Sequence, residues 1–166
     1  MIQNLIMETN YLLSSKFKRI GLIILIPSLI LGLYTLFTDW EPAFFDANVL
    51  GIFIEDLSGN NRFIGTVENN ILNEILGILV ILGGIMVAFS KEKDEDELIA
   101  KIRLESLVWA MYLNYGILLL AFLLLYDFSF YWAMVFNMYT MLFFFIIRFN
   151  IKIWRLRKSV SYEEQY

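Results

Sequence analysis

Residues 106–147 read SLVWAMYLNYGILLLAFLLLYDFSFYWAMVFNMYTMLFFFII, and this stretch decides the fold. It holds one acidic residue, Asp127, and no basic one. A bilayer core of about 30 Å is crossed by about 20 apolar helical residues. The stretch is long enough for two crossings, and Tyr126-Asp127 divides it into spans over 106–126 and 128–147. Its apolar runs are continuous rather than alternating, which argues against the strands of a membrane barrel.

Two more apolar runs lie upstream, at 20–37 and at 71–89, the latter with Glu74 near its start. The expected fold class is all-α and integral to the membrane. Four transmembrane helices form an antiparallel bundle in a single domain over 1–166, with an outer loop over 38–70 and a cytoplasmic connection and helix extension over 90–105. Composition agrees. The chain is 59% hydrophobic and 18% charged, too few polar residues to cover a soluble domain of 166 residues.

Cysteine and histidine are both absent. That excludes disulfides, thiolate metal sites and cysteine nucleophiles, along with imidazole ligation of haem or zinc and Ser–His triads. No other reaction constellation stands out, so the expectation is no enzyme, no catalytic residue, no cofactor and no metal.

The basic residues set the topology. Lys16, Lys18 and Arg19 precede the first span. Lys91, Lys93, Lys101 and Arg103 lie between the second and third, and Arg148, Lys152, Arg155, Arg157 and Lys158 follow the fourth. Twelve of the thirteen basic residues thus fall on one side, with only Arg62 on the other. The positive-inside rule places both termini of this multi-pass protein in the cytoplasm. The first span reads as a signal anchor, because no small-x-small cleavage pattern follows it, and Met7 as an alternative start. Residues 5–17 read as a short amphipathic helix on the inner leaflet.

In the outer loop, residues 48–55 and 62–67 flank Ser58-Gly59-Asn60-Asn61, the pattern of a β-hairpin. Its roles are a cap over the bundle or a binding loop. Trp40, Phe44 and Phe45 suit the interface. On the inner side, Lys91–Glu97 is a charge run. Lys93, Glu97, Lys101 and Glu105 follow at four-residue steps that support a helix starting near Asp94. The second and third spans are expected to be neighbours across this short connection. The basic tail, with Lys152, Arg155, Arg157 and Lys158, suits anionic lipid heads and makes nucleic acid an unlikely partner.

Polar groups within lipid need a reason. Counted along the helices, Asn114 and Asn137 differ in depth by only a few Å, so a hydrogen-bonded pair is expected, as glue or as a solute contact. Glu105 and Arg148 sit at the inner edge, where an ion pair would neutralise both, with Arg103 competing for the same carboxylate. Glu74 is the outer carboxylate, reaching to the interface or serving a coupling ion. Ser28/Gly32 and Gly84/Ala88 are small-xxx-small pairs that permit close helix contact, and Pro27 is expected to bend the first helix.

Ser90-Lys91-Glu92-Lys93, Asp96-Glu97, Arg103-Leu104-Glu105-Ser106-Leu107, Trp109 and Asn114-Tyr115 form one pattern, continued by Asn137-Met138 and Ile147-Arg148-Phe149-Asn150. It resembles an uncharacterised family of small four-span inner-membrane proteins of Gram-negative bacteria. The resemblance covers the C-terminal half. The family's genes lie near small helix-turn-helix regulators, which implies signalling and carries no catalytic residue across. The expected function is a non-catalytic inner-membrane protein acting through a protein partner or as a homo-oligomer, either as an accessory subunit or as a membrane-linked regulatory component. The alternative is a small oligomeric channel or transporter lined by Asn114, Asn137 and Glu74.

Overall fold

The computed structural model describes residues 12–54, 62–93 and 95–163, apart from the side chains of 161–163. The protein is mostly helical with one small antiparallel sheet. In chain order come α1 (Lys16–Thr38), a short 3-10 turn (Ala43–Phe45), β1 (Asp46–Ile54), β2 (Arg62–Asn70), α2 (Leu72–Ala88), α3 (Glu97–Leu124) and α4 (Asp127–Glu163). α1, α3 and α4 are long and apolar enough to cross a membrane, whereas α2 has 17 residues, about 26 Å.

Contacts divide the chain into two compact units, and the division falls within α1 and α2. One unit comprises Ile24–Val80, and the other takes in the described residues up to Ile23 and from Ile81 onward.

The Ile24–Val80 unit carries the hairpin. β1 and β2 pair from Asp46↔Asn70 to Ile54↔Arg62. The turn expected at Ser58–Asn61 lies outside the described residues. Asn70 fastens the base of the hairpin. Its Nδ2 donates to Pro42 O (2.9 Å) and Asp46 Oδ1 (2.7 Å), while its Oδ1 accepts from Leu72 N (3.3 Å) at the start of α2. Leu50, Ile52, Phe63 and Ile64 stay exposed on the strands. Trp40 meets Tyr34 edge to face at 6.0 Å. α1 runs unbroken through Pro27 and stops at Asp39, whose positive φ of 49° suits a residue just past a helix end.

In the second unit α3 and α4 form an antiparallel pair joined through Leu125-Tyr126. Asp96 caps α3, its Oδ1 accepting from Ile99 N at 2.7 Å. The helix therefore begins at Glu97, and its expected start near Asp94 lies outside the described residues. The last turns of α2 lie against α4, with Phe89 stacked on Phe145 at 5.6 Å, and α3 reaches them through Arg103. The core is gathered at this end, around Ala88, Ile99, Ala110, Phe145, Phe149 and Ile153.

One expectation changes here. Of the amphipathic helix expected over 5–17, residues 12–15 are not helical, and Lys16 and Phe17 open α1. Leu13 N donates to Phe89 O (2.9 Å) and Leu13 O accepts from Lys91 N (2.8 Å), a parallel bridge that takes up the main-chain groups a helix would need. Residues 5–11 lie outside the described residues. At the other end, α4 continues to Glu163, so the basic residues past the span belong to the last helix.

Candidate functional site

The best-built polar site lies at the basic end of the second unit, and the sequence reading missed it. Glu92, in the α2–α3 connection, has a side chain only 5% exposed. Its carboxylate is paired with Lys18 of α1 on one oxygen and with Arg157 of α4 at 2.9 Å on the other. Three residues on, Glu95 accepts Glu92 N at 2.8 Å. Both Glu95 oxygens also accept from Arg103 Nη2, at 3.0 and 2.9 Å. Arg103 Nη1 donates to Ala88 O at 3.0 Å, one of the carbonyls left open at the C-terminus of α2. The guanidinium covers the Phe149 ring at 4.4 Å, extending the Phe89–Phe145–Phe149 stack by a cation.

One buried carboxylate, Glu92, and one part-buried, Glu95, thus meet three cations drawn from α1, α3 and α4. Burial of this kind is tolerated only when charges are paired and hydrogen-bonded. Every carboxylate oxygen of the cluster is engaged, so the cluster holds the helix ends in register and offers no free base. Among the described residues, no group of three or more Asp or Glu side chains could hold a metal ion.

The inner-edge lock expected of Glu105 and Arg148 is corrected. Glu105 is exposed, and among the described residues it forms no ion pair. Arg148 instead lays its guanidinium over the Trp109 ring at 4.5 Å, and its buried Nε has no hydrogen-bond partner. Depth along the helices matched for the two residues, but their directions around the helix axes did not. Arg103, expected to compete for Glu105, takes Glu95. Glu105→Ala and Arg148→Ala should therefore lose folded yield additively, and a coupling above about 0.5 kcal/mol would restore the pair.

Asn114 and Asn137 are brought together. Asn137 Nδ2 donates to Asn114 Oδ1 at 3.2 Å. A double-mutant cycle over Asn114→Leu and Asn137→Leu should give a coupling of about 0.6 kcal/mol, the average for such bonds. Coupling of several kcal/mol would mean the pair serves as more than glue. Asn137 also borders an apolar groove of about 340 Å³ between α3 and α4 with Thr140, whose hydroxyl is spent on Phe136 O at 2.9 Å. Glu74 stands in the first turn of α2 and accepts from Asn69 Nδ2 at 2.7 Å, at an exposed position.

Of the four residues expected to meet anionic lipid, Arg157 pairs with Glu92, and Lys158 lies 5.4 Å over the Trp154 ring. Lys152 and Arg155 are exposed. The signal that could have exposed the missed cluster is topological. Cations flank three helix ends that the topology brings to one side, and the α2–α3 connection supplies the carboxylates there.

Comparison with protein-family models, with curated proteins and with solved structures found no match.

Proposed function

We propose that the chain is a four-span protein of the bacterial inner membrane with both termini in the cytoplasm. It acts without catalysis, by presenting a cytoplasmic surface to a protein partner, as an accessory subunit or as the membrane-linked member of a regulatory pair. The observation that carries this reading is the reach of α4. It continues unbroken over residues 148–163, about 24 Å past its apolar span. Ile153 is buried in the core and Arg157 is tied to Glu92, so the emerging helix is held in place, while Trp154 stays exposed beside it.

Other features support the same reading. Three helices have the length and apolarity of spans, and the 17 residues of α2 meet the lower limit for a crossing. Glu92 and Glu95 are occupied by cations. The Asn137 amide donates to Asn114, which favours an accessory protein over a channel. The resemblance of the C-terminal half to small four-span proteins of Gram-negative bacteria points the same way.

Affinity capture from native membranes in mild detergent should recover one stoichiometric partner, and Trp154→Ala should weaken that capture. Reporter tags active outside the cell at either terminus would overturn the orientation. Ion conduction in liposomes that is lost in Asn114→Leu would overturn the partner-binding reading in favour of a channel.

A further inference from the structure

We propose that Arg148, Lys152 and Arg155 of α4, beside Trp109 of α3, form a site for the phosphate of an anionic glycerophospholipid. The site rests on the reading that α3 and α4 cross a membrane.

The argument begins with what Arg148 lacks. Lys18, Arg103 and Arg157 divide the carboxylates of Glu92 and Glu95 between them. Arg148 has no carboxylate among the described residues, and its nearest assigned neighbour is the face of an indole. Its Nε is buried, but its two Nη groups make no hydrogen bond among the described residues and can receive a phosphate through paired N–H donors.

Position explains why an anion is needed. Arg148 follows Asp127, the first residue of α4, by about 32 Å of helix, close to the full hydrocarbon thickness. Its Cα–Cβ bond leans back toward the start of α4 and so toward the hydrocarbon. An unpaired cation there is costly, and a headgroup phosphate drawn to it offsets that cost. Lys152 and Arg155 follow at i+4 and i+7, on the same face of α4 and within about 11 Å of Arg148 along the axis. They reach the zone where anionic headgroups lie.

The flanks favour a lipid over a soluble phosphate. Ile147 and Ile151 are exposed on the neighbouring part of the helix surface. They would meet acyl chains while the cations meet the phosphate. Glu105, one turn before Trp109, makes no ion pair with Arg148 and leaves the guanidinium available.

The test is native mass spectrometry of the full chain from detergent, with phosphatidylglycerol, phosphatidylcholine or soluble glycerol phosphate added. One phosphatidylglycerol per chain should survive activation that strips phosphatidylcholine. Arg148→Ala should reduce the retained fraction about fivefold, the factor that corresponds to about 1 kcal/mol per basic residue near the surface. The exposed pair Lys152→Gln/Arg155→Gln, which leaves the core untouched, should reduce it further still. Equal retention of the two lipids overturns the site. So does retention unchanged in the double variant, or displacement of phosphatidylglycerol by glycerol phosphate. Release of the wild-type chain from membranes by alkaline carbonate would instead overturn the membrane reading, so the two failures are distinguishable.

Discussion

Arg103→Ala is expected to be the most damaging single change at the basic end, costing about 3 kcal/mol or more in reversible unfolding from detergent micelles. The side chains of Arg103 and Glu95 are only 7% and 14% exposed. Removing the guanidinium leaves a part-buried carboxylate without its counter-charge, and breaking a buried pair on one side costs about 3–5 kcal/mol. The open carbonyl of Ala88 and the uncovered ring of Phe149 add to the loss. The partner substitution supplies the check. Arg103→Ala with Glu95→Ala should cost less than the sum of the two singles by at least about 1 kcal/mol. Replacing both residues by leucine should recover most of the stability, because a well-packed apolar pair often matches a buried ion pair. Additive losses would show that the two side chains do not act on each other.

Gly21→Val is expected to be comparably harmful for a steric reason. A Cβ at Gly21 would lie 2.8 Å from the Gly83 carbonyl oxygen and 2.8 Å from Met86 Cβ, with Val87 Cγ2 at 3.0 Å. Main chain cannot rotate aside as a side-chain tip can, so α1 and α2 must separate here. Overpacking of this kind costs about 1–3 kcal/mol. Gly116 on α3 serves as the control, since a Cβ there meets nothing within 4 Å. Gly116→Ala should stabilise by about 0.5–1 kcal/mol through helix propensity, whereas Gly21→Ala should destabilise despite the same propensity gain. Equal shifts in the two alanine variants would remove the close approach.

The helices were legible because long uninterrupted apolar runs leave little choice of element. The hairpin was legible through its β-formers around a Gly/Asn turn, with strand ends differing by a few residues. The Asn114–Asn137 bond followed from counting depth along adjacent helices joined by a tight connection. The same counting failed for Glu105 and Arg148, because depth does not fix which way a side chain points around its helix. The charge run of the α2–α3 connection conceals its contacts for a related reason. Four-residue steps describe a solvated helix face, whereas the ion pairs of Glu92 join it to residues 74 and 65 positions away. Gly21 escaped notice because its neighbour at i+4 is Leu25. Its tight contact depends on a second helix, and one-helix patterns such as Ser28/Gly32 do not register that. A Cβ at Gly32 is an ordinary 3.9 Å from Leu76 Cβ.

The clasp between Leu13 and Ser90 is made wholly of peptide groups, Leu13 N to Phe89 O and Lys91 N to Leu13 O. Its strength is therefore indifferent to which side chains stand at those positions. Proline at 13 or 91, which lacks the amide hydrogen, is the replacement that unfastens one half.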